Sequence, residues 1–227
     1  MEIKPIAHIK TDFKEKFGIP RQSGRVPSLM GRIVFEPQYR NPDALRGIGE
    51  FSHIWLIFGF SKAEGRNSLT VRPPRLGGNI RVGVFASRSP YRPNSMGLSV
   101  VKLERIEHSG GEGDVLVVSG VDLLDNTPIY DIKPYLPYAD CKPDARGSYG
   151  QSLCEYALEV VFPKELLDRI PEDKQQTVID CLSEDPRPSY QDDLRIYSMR
   201  FADFDIHFTV NNRVLKVEGV DEPKSGG

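Results

Sequence analysis

Residues 96–124 read MGLSVVKLERIEHSGGEGDVLVVSGVDLL. The stretch contains two apolar segments, at 96–107 and 115–124, rich in the aliphatic and β-branched residues that favour strands. Similar short segments recur along the first 160 residues, separated by turn residues: IAHI at 6–9, GRIVF at 31–35, FSHIWLIFGF at 51–60, NIRVGVFAS at 79–87 and CEYALEVVF at 154–162. About seven strands without helices between most of them predict a mainly β fold with a closed or nearly closed barrel.

Two local patterns refine this prediction. Apolar residues alternate strictly with other residues in the segment at 79–87, which is typical of a strand. One short helix is predicted over NPDALRGI at 41–48, because Asn41 is a good N-cap and Pro42 suits the first helical position.

The pattern changes near residue 163. Apolar residues recur at helical spacing in PKELLDRIPEDKQQTVIDCLSEDPRP, at 163–188. Strands follow in RIYSMRFADFDIHFTVNNRVLKVEGV, at 195–220, where Asn211-Asn212 predicts a type I′ hairpin. We therefore predict a β-barrel domain over residues 1–162 and a small α+β domain over residues 163–227.

Composition argues against several classes of protein. The longest apolar run, Ile54 to Phe60, is too short to span a bilayer, and MEIKPIAHIKTDF lacks the apolar segment of a secretory signal. The three cysteines, Cys141, Cys154 and Cys181, are odd in number and widely spaced. Reduced thiols in a cytoplasmic protein are therefore expected, with no structural zinc and no metal site among the scattered histidines.

Arginines are concentrated in one stretch of a weakly acidic chain. No acidic residue occurs between Glu64 and Glu104, whereas the segment from Lys164 to Lys224 holds 14 Asp and Glu against 9 Lys and Arg. The first stretch contains Arg66, Arg72, Arg75, Arg81, Arg88, Arg92 and Lys102. These residues lie among Gly, Pro and Asn rather than along a helix, and arginine suits bidentate contacts with phosphate or carboxylate. The pattern indicates a site for an anionic ligand.

Polar side chains that could form such a site lie in four stretches: PRQSGRVP at 20–27, TVRPPRLGGNIRVG at 70–83, ASRSPYRPNSMG at 86–97 and SGVDLLDNTPIYDIKPYLPYAD at 119–140. In the last, Asp122, Asp125 and Asp131 cluster with Tyr130 and Lys133.

Each aspartate also has a structural interpretation. Asp125 or Asn126 can form an Asx-turn, Asp131 can form a buried pair with Lys133 on the same strand face, and Asp122 can be an edge-strand charge. No dinucleotide fingerprint, P-loop, nucleophile elbow or zinc-deaminase spacing is present. The residues alone predict a barrel with an arginine-rich loop site and do not identify a reaction.

The same stretches resemble the TrmO family, formerly called YaeB or TsaA-like, whose members are S-adenosylmethionine-dependent tRNA methyltransferases. The resemblance covers nearly the whole chain and rests on VRPPRLGGNIRVGVFASRSPYRPNSMGLS at 71–99, DLLDNTPIYDIKPYLPYAD at 122–140, PRQSG at 20–24, FSHIWLIFGF at 51–60 and DPRPSY at 185–190. It implies a single β-barrel, a homodimer, and methyl transfer to N6 of N6-threonylcarbamoyladenosine at position 37 of threonine tRNA.

The family motifs also imply a cofactor site for S-adenosylmethionine. Its residues are Gln22, Ser23, Gly24, Ser61, Lys62, Arg88, Leu98, Asp122 and Leu123. Arg88 is expected to contact the cofactor carboxylate or to shape its pocket. Asn126 stands where relatives more usually have glycine, a position that Asn can occupy because it tolerates the left-handed region.

The N6 nitrogen is a poor nucleophile because its lone pair is delocalised, so a group that accepts its proton would assist the reaction. The candidate catalytic residues are Asp125, Asp131 and Tyr130, with Asp122 as a further acceptor. Asp125 is preferred, because a turn residue at the end of a barrel strand can reach a pocket formed by loops.

The remaining arginines are assigned to the anticodon loop of tRNA, either to phosphates or to the threonyl carboxylate. The predicted substrate-binding residues are Arg66, Arg72, Arg75, Arg92 and Asn94. Two alternatives are a non-catalytic RNA-binding barrel and a barrel that binds an anionic metabolite.

Overall fold

The computed structural model describes residues 2–63, 67–73, 80–147, 156–187 and 195–222. Arg66, Arg75 and Cys154 therefore lie outside the described residues.

Six antiparallel strands close into a barrel in the order β1-β2-β7-β6-β3-β8. Their bounds are β1 Ala7–Thr11, β2 Met30–Phe35, β3 His53–Gly59, β6 Met96–Ser109, β7 Gly113–Ser119 and β8 Thr127–Pro134. Alternate residues point inward, so that Ile9, Ile54, Leu56 and Leu116 are fully buried in the barrel core. The predicted mainly β fold with a closed barrel is confirmed.

One end of the barrel gathers three long connections. Because the strands are antiparallel, β1, β3 and β7 end where β2, β6 and β8 begin. The register shows this directly: Met30 lies opposite Ser119, and Gly59 lies opposite Met96. The connections at this end are residues 12–29, 60–95 and 120–126, and we call it the loop end.

The segment at 79–87 differs from the sequence-based prediction. Only Val82–Gly83 form a strand, β5, which pairs with β4 at Thr70–Val71 outside the barrel. Val84–Ala86 then form a 3-10 turn. The prediction of a barrel strand over 79–87 is therefore wrong. The alternation of apolar residues corresponds to a short strand that pairs outside the barrel.

The predicted helix at 41–48 is a short 3-10 helix over Pro42–Leu45. The Asn41 side chain accepts a hydrogen bond from the Asp43 backbone N–H at 3.0 Å, which confirms the predicted cap.

The C-terminal part is a second sheet with strand order β10-β11-β12-β9 and two helices. Its elements are β9 Glu159–Val161, α2 Lys164–Leu167, α3 Glu172–Ser183, β10 Tyr197–Phe201, β11 Phe204–Asn211 and β12 Val214–Asp221; the one-turn helix α1, Pro137–Asp140, precedes them. The predicted single helix is interrupted at Pro171, whose extended backbone cannot continue α2 into α3.

Two details of this sheet correct the sequence-based predictions. Strand β9 pairs in parallel with β12, so the segment at 154–162 does not continue the barrel. The β11–β12 turn is centred on Asn212 and Arg213, both at positive φ, one residue later than predicted. The domain boundary at residue 163 stays a prediction, and β9 precedes it.

Aromatic contacts join the two sheets into one core. Phe13 packs edge-on against Phe201 with ring centroids 5.4 Å apart. Phe17 stacks on Tyr197 and on Phe208, each at 6.4 Å. The connection between β1 and β2 therefore supplies side chains to the hydrophobic core of the C-terminal sheet.

Candidate functional site

Two glycines bring the β1–β2 and β7–β8 connections together at the loop end. The Gly24 N–H donates to the Gly120 carbonyl at 2.8 Å, and both residues have positive φ, +77° and +72°. A Cβ atom on Gly120 would lie 3.3 Å from the Gly24 Cα atom. Glycine at this position therefore permits both the backbone conformation and the close approach.

Asp122 is the most enclosed of the predicted acidic residues. Its carboxylate accepts a hydrogen bond from the Ser99 hydroxyl at 2.7 Å. Partial burial raises the pKa of the Asp122 carboxyl, although the Ser99 hydrogen bond, the nearby Ser23 backbone N–H and the Arg88 guanidinium act to lower it. A partly buried carboxylate with a raised pKa is typical of a functional site.

Arg88 and Gln22 complete this group of residues. The Arg88 guanidinium donates to the Gln22 side-chain oxygen, and the Gln22 amide donates to the Arg21 carbonyl. Arg88 itself is exposed. The fold thus brings Gln22, Ser23, Arg88 and Asp122 together from three separate connections, and we call these four residues with Ser99 the loop-end cluster.

The other predicted cofactor residues lie around the loop-end cluster. Leu123 is buried, and its carbonyl accepts a hydrogen bond from the Thr11 hydroxyl at 3.0 Å. Ser61 and Lys62 are exposed and directly follow β3 at the same end. Leu98 is half-exposed on the outer face of β6, next to the inward-facing Ser99.

The Asp125 carboxylate is engaged in contacts that stabilise the fold. Its carboxylate accepts a hydrogen bond from the Thr11 backbone N–H at 3.0 Å and pairs with Lys14 at 2.8 Å. Partial burial acts to raise the pKa of the Asp125 carboxyl, but the Lys14 and Thr11 hydrogen bonds outweigh it and hold the pKa below its usual value. Because both oxygens are engaged, this geometry does not support the preferred role of Asp125 as proton acceptor. The left-handed conformation expected of Asn126 is confirmed, at φ +63°.

Asp131 and Tyr130 are neighbours on β8, with different surroundings. Asp131 is opposite Ile57 in the register and pairs with Lys133 at 2.9 Å, with both side chains well exposed. The Tyr130 ring covers Gly59, where a Cβ atom would lie 2.6 Å from its hydroxyl oxygen. Tyr130 is thus close to the loop end, whereas Asp131 forms the pair with Lys133 that the sequence offered as its alternative role, but at the surface rather than buried.

The described arginines of the basic stretch are displayed on the 60–95 connection. Arg72 and Asn94 are exposed. Arg92 is partly buried, and its guanidinium donates to the Ser87 carbonyl at 3.3 Å. Positions 66 and 75, the other two predicted contacts, lie outside the described residues.

Ser99 was not found by sequence reasoning. It occupies an inward position of β6, where its neighbours Val101 and Leu103 are apolar core residues. A serine in an apolar alternation was the available signal, but its partner Asp122 is 23 residues away. Within the described ranges, no cluster of three or more His, Cys, Asp or Glu side chains is arranged to hold a metal ion, and no helix is long and apolar enough to cross a bilayer.

The fold and the loop-end cluster define a closed-barrel protein with a polar, arginine-bearing site formed by the loops at one barrel end. Two family models match it: the tRNA-methyltransferase O N-terminal domain over residues 8–141 and the TrmO C-terminal domain over residues 155–223. The chain belongs to the tRNA-methyltransferase O (TrmO) family.

Individual relatives agree over nearly the full length. The tRNA (adenine(37)-N6)-methyltransferase of Escherichia coli K12 is 40% identical over 227 residues, covering 95% of this chain and 96% of the relative. The Pseudomonas aeruginosa protein RcsF, whose name describes an S-adenosylmethionine-dependent methyltransferase, is 41% identical, covering 96% and 98%. A crystal structure of TrmO from P. aeruginosa superposes with a TM-score of 0.79 at 35% identity, covering 98% of this chain and 97% of that one.

Proposed function

We propose that this member of the TrmO family methylates N6 of adenine 37 in tRNA with S-adenosylmethionine as donor. We further propose that its substrate is N6-threonylcarbamoyladenosine in threonine tRNA and that it acts in the cytoplasm. The observation that carries the proposal is the loop-end cluster, in which the partly buried Asp122 lies near Arg88 and the Ser23 backbone. The E. coli relative, similar over nearly the full length, and a second relative of the same name, which covers 75% of this chain, support the reaction.

The residues present fit this cofactor. S-adenosylmethionine carries an ammonium, a carboxylate, ribose hydroxyls and a cationic sulfur. Asp122 is an anionic acceptor for its cationic or hydroxyl groups, and Arg88 is a donor suited to its carboxylate. The Gln22 side chain adds neutral hydrogen-bonding groups. The remaining predicted contacts are Ser61, Lys62, Leu98 and Leu123, on strands and connections at the same end of the barrel.

The cofactor, when bound, supplies an electrophilic methyl group. The protein's part is to hold the acceptor nitrogen in line and to accept its proton, and positioning alone can account for much of the rate. Asp122 combines a place in the loop-end cluster with a raised pKa, which suits a general base better than the engaged carboxylate of Asp125. We therefore propose Asp122 as proton acceptor, with Tyr130 and Asp131 as the alternatives to be tested.

For the tRNA, we propose that the exposed 60–95 connection contacts the anticodon loop. Arg72, Arg92 and Asn94, together with Arg66 and Arg75, would bind phosphates or the threonyl carboxylate. The stretch from 65 to 103 has no acidic residue to repel the RNA backbone.

We also propose that the protein is a homodimer. Leu69 and Phe85 are 86% and 79% exposed, and the Val84 N–H donates to the Leu69 carbonyl, so both exposed residues lie beside the β4–β5 pair. Apolar exposure of this kind is typical of an interface. Light scattering with size exclusion should give a dimer for the wild type and a smaller species for Phe85→Asp.

The activity is tested with purified protein, S-adenosylmethionine and two preparations of threonine tRNA, with and without the threonylcarbamoyl group. Nucleoside mass spectrometry should detect one added methyl group on the modified adenosine in the first preparation alone. Methylation of both preparations would retain the methyltransferase but reject the substrate. No methylation, with tRNA still bound, would favour the non-catalytic RNA-binding barrel.

A further inference from the structure

The loop that carries Gln22 and Ser23 is held from two sides. On the barrel side, the Gly24 N–H binds the Gly120 carbonyl at 2.8 Å. On the opposite side, the residues that follow helix α3 contact the loop through Arg21 and Arg25. The C-terminal unit therefore touches the same short segment that forms part of the loop-end cluster.

The stronger of these contacts is a bidentate ion pair between Arg25 and Glu184. Arg25 Nε lies 2.9 Å from Glu184 Oε2, and Arg25 Nη2 lies 2.8 Å from Glu184 Oε1. The Glu184 side chain is only 12% exposed and that of Arg25 30%. A paired fork in a partly buried setting fixes orientation as well as distance.

The second contact comes from the residues that follow Glu184, Asp185 to Arg187. Asp185 has positive φ, and its carboxylate receives hydrogen bonds from the Arg187 guanidinium at 2.9 and 3.1 Å and from the Tyr156 hydroxyl at 2.9 Å. This segment aims the Arg187 carbonyl at Arg21, whose guanidinium donates to it at 2.8 Å.

A continuous set of contacts thus runs from the end of α3 to the cofactor cluster. Arg21 and Arg25 flank Gln22 and Ser23 in the sequence, and the Gln22 side-chain oxygen accepts a hydrogen bond from Arg88. The Ser23 backbone N–H lies near the Asp122 carboxylate. We call residues 21–25 the cofactor loop. We propose that Glu184, acting through Arg25, is a positioning residue that sets the shape of this loop. The C-terminal sheet and its helices would thereby influence cofactor affinity. This inference rests on the proposed function, because it assigns a role within the same site.

An ordinary docking contact between the two units would have a different effect. The ion pair between Lys174 and Asp12 also joins α3 to the β1–β2 connection, and its two side chains are exposed to 30% and 27%. It lies at the start of that connection, outside the 21–25 segment. Lys174→Gln therefore removes a comparable contact between the units without touching the cofactor loop.

The experiment uses the full chain at temperatures where each variant is folded. Calorimetry measures the dissociation constant of S-adenosylhomocysteine, and methylation assays measure KM and kcat. Glu184→Gln should raise the dissociation constant and the KM for S-adenosylmethionine about tenfold, with kcat retained at saturating cofactor. Lys174→Gln should leave both constants near their wild-type values. Glu184→Asp, which keeps the charge but shortens the fork, should give a smaller increase in the same KM.

The charge-exchanged double variant, Arg25→Glu with Glu184→Arg, should recover much of the lost affinity. The inference is overturned if Glu184→Gln and Glu184→Asp bind S-adenosylhomocysteine like the wild type, or if Lys174→Gln weakens binding equally. If Glu184→Gln does not fold, Glu184→Asp decides the question. Failure of the wild type to bind S-adenosylhomocysteine would instead reject the proposed function, so the two failures are distinguishable.

Discussion

The Ser99 hydroxyl donates a hydrogen bond to the Asp122 carboxylate across 2.7 Å, which ties an inward position of β6 to the connection that follows β7. This contact places an acidic group at the loop end of the barrel, near the backbone of Ser23.

Asp122→Asn should lower kcat/KM for methylation by about a hundredfold or more, because the variant cannot accept the proton of N6. Its side-chain oxygen can still accept the Ser99 hydrogen bond, so the fold should persist. Removing a desolvated charge should leave the free energy of unfolding at neutral pH unchanged or higher. Urea unfolding and methylation assays test both parts, with Ser99→Ala as the control for the hydrogen bond alone. Wild-type activity in Asp122→Asn would reject the assignment.

The pH dependence of activity should report the same carboxylate. Burial raises the pKa of Asp122 above its usual 3.8, so the active, ionised form is reached at a higher pH than for an ordinary aspartate. The free energy of unfolding changes with pH in the opposite direction to the activity. Because the pKa of Asp122 is higher in the folded state, its protonated form stabilises the fold below the unfolded-state pKa. This stabilisation is lost as the pH rises through the folded-state pKa. An acidic limb in the kcat/KM profile of the wild type should be missing from the residual activity of Asp122→Asn. A limb that persists unchanged belongs to another group.

Asp125→Asn should act on stability rather than on catalysis. The lowered pKa of Asp125 means that its ionised form stabilises the folded state above the unfolded pKa, and that this stabilisation is lost as the pH falls through the folded pKa. The variant should lose about 1 kcal/mol at neutral pH, since the Lys14 pair is partly exposed, and the difference from the wild type should close in acid. A large fall in kcat in the folded variant would restore Asp125 as the proton acceptor.

Gly120→Ala should weaken cofactor binding more than strain alone explains. Alanine at φ +72° costs about 1 kcal/mol, and its Cβ atom would press on the Gly24 Cα atom at 3.3 Å and displace the 22–24 turn. Gly47 is the matched control, because it has φ +83° and open space around its Cβ position. Both alanine variants should lose similar stability, and only Gly120→Ala should raise the dissociation constant of S-adenosylhomocysteine. Equal binding by the two variants would contradict the close approach.

Arg72→Ala should reduce the salt dependence of tRNA binding. If Arg72 neutralises one phosphate, the slope of log K against log salt should fall by about 1 in magnitude. Arg46→Ala is the control, because Arg46 lies in the β2–β3 connection at the opposite end of the barrel. Filter binding across a salt series measures both slopes. An unchanged slope for Arg72→Ala would assign this arginine to the small ligand or to no ligand.

The barrel could be predicted from the sequence because short apolar segments of fixed spacing have few alternatives. The segment at 79–87 shows where that reasoning ends. Its alternation is as regular as that of a barrel strand, but its partner is Thr70–Val71 and it joins no barrel strand. Periodicity is a local property, whereas strand pairing depends on distant segments.

The residues of the site could be predicted only in part, because their roles also depend on contacts between distant segments. Motif resemblance identified Gln22, Ser23, Arg88 and Asp122, which the fold brings together. It could not separate Asp122 from Asp125, because the distinction depends on Lys14, which lies 111 residues away and engages Asp125. Contacts over that separation are set by the closed barrel and leave no mark in either local sequence.

The packing of Phe13 and Phe17 against the C-terminal sheet bears on thermal unfolding. A barrel and a sheet with separate hydrophobic cores would unfold in two calorimetric transitions. Here the aromatic side chains of the β1–β2 connection pack into the core of the second sheet. Heat that opens the C-terminal sheet also releases the connection that carries Gln22 and Ser23. We therefore expect one calorimetric transition, in which the second sheet and the segment with Gln22 and Ser23 are lost together.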